Sequence, residues 1–425
     1  MDEFQPPASG ASITTRCCVV GGGPAGLFLG YLLGRAGVEV IVLEKHKDFL
    51  RDFRGDTIHP STLELMHELG LLDEFLGIAD KHFESLKLNF EGQDVEGPYF
   101  THLPTQCKFI TFAPQWDFLN MLARHAAEFP NFQVHMQSKA TGLIFDGDQV
   151  VGVKVEGVNG EYEIKADLVV GADGRGSDMR HEAGVEIVEK GIPIDVLWFR
   201  VSKAGEVTDN TLARIRDGRM LITIDRGDYF QTGMIIHKGS FDDLKQEGLE
   251  AFRKRVVDIL PALSDGINDI DSWDKVRLLT VQLNHITNWA RPGLLFIGDA
   301  AHAMSPVGGV GVNLAVQDAV AAANILADPL YNGTLTLSDL KRVQQRREPP
   351  ALHMQRLQVF AHQRLFGGSS VPGKPISISW PLRKIAGLLA PILRRKAGKI
   401  IGLGLLQEHI ECPSRAPRPA EAPAK

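Results

Sequence analysis

Hydrophobic positions along this chain change period three times. Near the start they form short unbroken runs. The run at 17–20, "CCVV", predicts a buried strand; "GGGPAG" then interrupts it, "LFLGYLLGRAG" predicts an apolar helix, and "VEVIVLE" predicts a second strand ending at Glu44. A loop over 51–60 leads to a helix expected near Thr62, with Ser61 and Glu64 spaced as a capping box. Residues 114–129 predict a further helix with Phe118, Leu119, Leu122 and Ala126 on one side. From 132 onward the period falls to two. Strands are expected through "YEIKADLVVGADG" and, as a separate antiparallel block, through 193–237. A helix is expected near "LEAFRKRVVDIL", a strand runs into "LLFIGDAAHA", and from about Leu314 the spacing is helical.

Composition adds little to this. The 425 residues are 44% hydrophobic and 23% charged, with a net charge of −6, and no basic tract suggests nucleic acid. The four cysteines, Cys17, Cys18, Cys107 and Cys412, form no disulfide framework and fit a reducing, cytoplasmic setting. The N-terminus lacks the basic and apolar segments of a signal peptide, and no apolar run reaches the ~18 residues of a membrane span. The segment from "WPLRK" to "GLGLL" is apolar and basic. It could make weak contact with an anionic membrane surface, but Pro391 and its glycines favour a broken helical pair packed on the core.

Three stretches carry chemistry. Gly21-x-Gly23-x-x-Gly26 follows a strand and opens a helix, with Pro24 and Ala25 inside the turn. Gly21 suits the tight turn, Gly23 lets backbone approach a pyrophosphate, and Gly26 lets helix pack on strand. Glu44, followed by Lys45, ends the second strand where a carboxylate can accept from ribose hydroxyls. The motif suits NAD or FAD alike. The other two stretches are "GADGRGSDMR", carrying Asp173 and Gly174, and "GDAAHAMSPVGGVGVN", carrying Asp299, His302, Pro306, Gly309, Gly311, Val312 and Asn313. Each places an aspartate just past a strand end. The histidines show no metal-ligand spacing, and no metal is expected.

In their order and strand contexts these three motifs resemble the fingerprints of the single-component FAD-dependent aromatic hydroxylases, the para-hydroxybenzoate-hydroxylase-like flavoprotein monooxygenases. The resemblance runs from about Thr14 to Phe366. It implies that Asp299 bonds the ribityl chain, that Pro306 and the glycines pass the isoalloxazine edge, and that a helix opening near Val312–Asn313 aims its N-terminus at the pyrimidine end. Arg54 and Gln115 resemble the family's further FAD contacts, and Asp173 would support FAD and a transiently bound pyridine nucleotide. His302 reads as structural. Pro306, beside the ring, His59, near Arg54, and Gln231, a polar residue in mid-strand, are candidates for substrate or catalytic contact. The expected lining comprises Arg200, Arg214, Ile222, Ile224, Phe230, Gln231 and Met234, although the pleat leaves its inward face open.

The implied fold is α/β: a Rossmann-like FAD-binding domain (14–83, 101–190 and 280–365) interleaved with an antiparallel β-sheet substrate domain (84–100 and 191–279), plus C-terminal helices (366–412). A disordered arm (1–13) and tail (413–425) would flank it. The implied reaction is hydroxylation of a hydrophobic aromatic or polyketide-like molecule, with NADPH or NADH reducing FAD and O2 giving a C4a-hydroperoxide, by a monomer or homodimer. A FAD-dependent reductase or dehydrogenase acting on an isoprenoid or quinone-like substrate is the alternative. A non-catalytic flavin-binding protein is a third reading.

Overall fold

The computed structural model describes residues 7–50, 57–79, 81–203, 211–366 and 380–415, with the side chains of 364–366 and 380–388 left aside. Arg54 therefore lies outside the described residues.

One sheet leads into all three of the glycine- and aspartate-bearing stretches. In spatial order its main strands are Ala290–Arg291, Leu294–Phe296, Gly160–Gly171, Ser12–Val20, Val40–Leu43 and Phe132–His135, with Gln149–Gly157 and Lys139–Asp146 extending from Gly160–Gly171. The four central neighbours run parallel to one another, and their ends coincide: Val20 pairs with both Leu43 and Gly171, and Gly171 with Phe296. Helices Pro24–Arg35 and Gly311–Asn332 bury their apolar faces in the main core with this sheet. Burial on both faces explains why these strands read as continuous apolar runs.

A second sheet of seven strands runs Arg277–Leu279, Ile194–Ser202, Tyr229–His237, Arg219–Asp225, Thr211–Arg216, Ser85–Phe90 and Gln93–Tyr99. It is antiparallel except where Thr211–Arg216 meets Ser85–Phe90. Helix Leu249–Ile259 covers one face, inserting Phe252, Val256 and Ile259 among Leu197, Phe199, Val201, Leu221, Phe230 and Met234.

Several boundaries differ from those expected. The helix placed near Thr62 begins at Pro60, with His59 at its N-cap and no side-chain cap of its own, so Ser61 and Glu64 form no capping box. Proline at the first helical position supplies the start, and the capping acceptor comes from Asn313 instead. The first strand starts at Ser12, inside the expected arm, because Ser12 pairs with Glu163. Arg415 falls inside the expected tail yet is anchored: its N–H reaches Arg35 O at 2.9 Å, and its guanidinium pairs with Asp328 and lies over Tyr331. The C-terminal segment is one helix, Trp380–Leu403, which passes through Pro391 without breaking. Pro391 is exposed, so water can take the carbonyl bond its ring cannot make.

Candidate functional site

The aligned strand ends deliver three loops to one edge. The first is the early glycine turn. Gly21 has φ +111°, and a Cβ there would lie 2.5 Å from Ala172 O. A Cβ on Gly26 would lie 1.9 Å from Gly21 O, so glycine is required where helix meets turn. Gly23, at the N-cap of helix Pro24–Arg35, is different: a Cβ there meets nothing within 4 Å. Its bare backbone faces open space at a helix N-terminus, which is the arrangement a pyrophosphate needs. Pro24 opens the helix and Ala25 is buried. At the neighbouring strand end Glu44 is buried, and its Oε1 accepts from His46 N at 2.9 Å. Lys45 is exposed. Gln115 is buried at the first position of helix Gln115–Ala126.

The second loop follows Gly160–Gly171. Asp173 turns inward: Oδ1 accepts from Ser177 Oγ at 2.5 Å and Oδ2 from Met179 N at 3.1 Å. Burial pushes its carboxyl above the usual range against these bonds. Both oxygens are engaged in shaping the loop and the short helix Asp178–Glu182 after it.

The third loop is the late one. Gly298 has φ +61°, and a Cβ there would lie 3.0 Å from Ala25 Cβ and 3.3 Å from Ala315 Cβ. The two glycine stretches, more than 270 residues apart, thus touch. Asp299 follows with its side chain 28% exposed, accepting from Arg175 Nη2 at 3.0 Å. Arg175 comes from the second loop, so the three loops form one rim.

Beyond Asp299 the chain passes half-buried Pro306 to helix Gly311–Asn332. Gln358 holds this passage, accepting from Ser305 N and donating to Ser305 O and Val307 O. Gly309, φ +61°, leaves no room for a Cβ beside Thr57. Gly311, Val312 and Asn313 form the first helical turn, whose N–H groups have no acceptor within the helix. The Asn313 side chain is fully used. Its Oδ1 accepts from His59 N and Thr62 Oγ1, and its Nδ2 donates to Thr57 O and Gly309 O. The Asn313 side chain therefore fixes the loop.

His59 is fully buried, and its Nδ1–H donates to Ile401 O at 2.6 Å. Burial lowers its pKa to about 4. A neutral imidazole tied to the C-terminal helix is a poor catalytic base at neutral pH.

His302 is buried as well, and its Nε2–H donates to Asp318 Oδ2 at 2.6 Å. Asp318 also accepts from Gly298 N at 3.1 Å and from Arg347 Nε at 2.9 Å. Arg347 reaches Glu408 Oε1 at 3.1 Å, and Arg346 reaches Glu408 Oε2 at 2.7 Å. Burial works to raise the Asp318 carboxyl, but His302 and Arg347 outweigh it and hold it below the usual range. This buried network sets the turn that presents Asp299. Sequence reasoning missed it, although a lone acid inside "AVQDAVAAA" was a signal.

The second sheet separates the residues expected to line a substrate site. Leu221 pairs with Met234, and both enter the cluster under helix Leu249–Ile259. By the pleat, Phe230, Met234 and Arg214 share that covered face, while Arg200, Ile222, Ile224 and Gln231 lie on the opposite one. Trp198 and Ile222, on this opposite face, pack against the main core. The expected lining therefore mixed two faces. Gln231 is buried, and its Oε1 accepts from Arg226 Nε and Nη2 at 3.2 Å each.

An open glycine at a helix N-terminus, a second loop pressed against it and a partly exposed aspartate on their shared rim form a dinucleotide-type cradle in an α/β protein. The chain belongs to the FAD binding domain family, whose model matches residues 14–357. It is 32% identical over 374 residues to 6-methylpretetramide 4-monooxygenase of Streptomyces rimosus, covering 86% of this chain and 88% of that protein. Two solved structures share the fold. OxyS anhydrotetracycline hydroxylase from Streptomyces rimosus aligns with a TM-score of 0.72 at 22% identity, over 92% of this chain and 76% of that one. The p-nitrophenol 4-monooxygenase PnpA from Pseudomonas putida DLL-E4 aligns with a TM-score of 0.72 at 21% identity, over 92% of this chain and 95% of that one. The protein is an FAD-dependent oxidoreductase of the monooxygenase class.

Proposed function

We propose that the protein hydroxylates a hydrophobic aromatic or polyketide-like small molecule. Substrate C–H, O2, NAD(P)H and a proton would give C–OH, water and NAD(P)+. The observation that carries this reading is the convergence of the early and late glycine loops on one rim beside Asp299, joined to the kinship with 6-methylpretetramide 4-monooxygenase.

The residues present fit FAD. The open backbone at Gly23, with Gly21, Pro24, Ala25 and Gly26 shaping its turn, suits the pyrophosphate. Glu44 and Lys45 stand at the strand end, where they would meet the ribose, and Gln115 would be a further contact. Asp299 suits the ribityl chain, and Asp173 would support the site from behind by bonding Ser177 and Met179 N in the loop that carries Arg175. Pro306, Gly309, Gly311, Val312 and Asn313 would line the ring edge. Bound FAD would supply the redox and oxygen-activating chemistry. The protein's part is to bind, orient and exclude water. The first-turn amides at Gly311–Asn313 would favour negative charge at the ring. Gln231, its carbonyl held by Arg226, would present its amide nitrogen to substrate, and His59 would hold the ring-side loop rather than transfer a proton. The flavin unit would comprise 14–83, 101–190 and 280–365, and the substrate unit 84–100 and 191–279.

Four buried, unpaired cysteines support a reducing cytoplasmic setting, and a monomer or homodimer would suffice for the reaction. Purified enzyme with NADPH or NADH and 18O2, offered polycyclic phenols and quinones, tests the reaction. Substrate-stimulated O2 uptake with one 18O atom in the product supports it. Reduction of a prenyl chain or quinone without O2 consumption would replace it with the reductase reading.

A further inference from the structure

We infer that the outward face of the C-terminal helix, Trp380–Leu403, docks on an anionic lipid surface. This goes beyond the reaction proposed above and does not depend on it. The helix is firmly seated on one side. A Cβ on Gly398 would lie 2.0 Å from Tyr99 O, and one on Gly402 would lie 2.7 Å from Leu103 Cδ1. Arg394 on the same side donates to Gly97 O at 2.8 Å and pairs with Glu96 at 2.5 Å.

The opposite side is apolar and open. Leu389, Ile392 and Leu393, spaced i, i+3 and i+4, are 46%, 55% and 58% exposed. Together with Leu405 and Leu406 they make five of the thirteen exposed large hydrophobics among the described residues, all within 18 positions. Lys396 continues the stripe one turn on, with Arg395 and Lys399 beside it. All three are exposed and make no ion pair among the described residues.

Charge selects the occupant. The 24-residue helix carries six cations (Arg383, Lys384, Arg394, Arg395, Lys396 and Lys399) and no acid, in a chain of net charge −6. A second copy docked through the same face would bring Arg395, Lys396 and Lys399 against their own counterparts. A bilayer of anionic headgroups would attract them while accepting the leucine stripe at its acyl boundary. The helix would lie in the interface: no helix among the described residues is long and apolar enough to cross a membrane.

Co-sedimentation of the purified holoenzyme tests this, using vesicles of phosphatidylglycerol and phosphatidylcholine in equal parts against phosphatidylcholine alone. The holoenzyme should bind the anionic vesicles and release in high salt, despite a net charge that would otherwise repel it. K396A/K399A should lower the partition coefficient about 30-fold. L389S/I392S/L393S should abolish binding while FAD content and NADPH oxidation in solution stay unchanged. Failure of the wild type to bind anionic vesicles would overturn the inference, as would undiminished, wild-type binding by either variant. So would a wild-type dimer that L389S/I392S/L393S converts to monomer without changing vesicle binding, which would assign the face to a second copy.

Discussion

Alanine at Gly23 and at Gly26 adds the same methyl group three residues apart, and the two should fail differently. At Gly26 the new Cβ would sit 1.9 Å from Gly21 O and 3.1 Å from Val19 Cγ1. The obstructing atom is backbone, so turn and helix must separate by more than an ångström. The cost should reach the upper end of overpacking, about 3 kcal/mol. At Gly23 the Cβ meets no protein atom within 4 Å, and the backbone at φ −77°, ψ −176° is extended and open to any residue. Alanine is a poorer N-cap than glycine, but it also restricts the unfolded chain. These terms nearly cancel, leaving stability within about 0.5 kcal/mol. The methyl group would nevertheless stand where a pyrophosphate must approach, and FAD affinity should fall at least ~100-fold, or about 2.7 kcal/mol. Urea unfolding of the apoproteins and fluorescence titration with FAD separate the two effects. Wild-type FAD affinity in Gly23→Ala, or wild-type stability in Gly26→Ala, would refute the reasoning.

Three further outcomes follow from the buried polar groups. Asp318→Asn should destabilise by about 3–5 kcal/mol in urea unfolding, because Arg347 and His302 lose a buried charged partner. As the Asp318 carboxyl is held below its ordinary value, its stabilisation is full above about pH 4 and is lost only as pH falls through the depressed value. The gap between wild type and variant should therefore be constant from pH 8 to 5. Asn313→Ala should cost about 2–4 kcal/mol by the same assay, since it strips the acceptor from His59 N and the donor from Gly309 O. His59 shifts the opposite way from a stabilised base: its folded value of about 4 lies below the unfolded 6.5, so the unfolded chain takes up the proton first. Stability should fall by about 3 kcal/mol on its account between pH 6.5 and 4, and His59→Asn should flatten that part of the profile.

The early glycine loop was legible because strand, turn and helix lie within one stretch and Gly26 is confined by Gly21 O five residues back, whereas the approach of Ala172 to Gly21 comes from a distant strand and had no local signal. Asp299 was legible as a residue, but its setting was not. Gly298 N, His302 and Arg347 meet on Asp318, and Arg347 then meets Glu408 61 residues further on, with no repeating spacing to announce it. The middle sheet was legible as alternation, yet Phe230 and Gln231 differ by one position and face opposite ways. Only the packing of helix Leu249–Ile259 decides which of them is covered. The capping of helix Pro60–Leu69 was misread for a related reason: the acceptor is the side chain of Asn313, more than 250 residues away.

The central claim is that one FAD site is built jointly by the early loop and the late one. Titration of FAD into the apoproteins of the wild type, Gly23→Ala and Asp299→Ala tests it most directly. One FAD should bind per wild-type chain, and Asp299→Ala should weaken it about 10- to 150-fold, the worth of a charged hydrogen bond. Undiminished affinity in Asp299→Ala, beside a loss in Gly23→Ala, would mean that the late loop takes no part in holding the flavin.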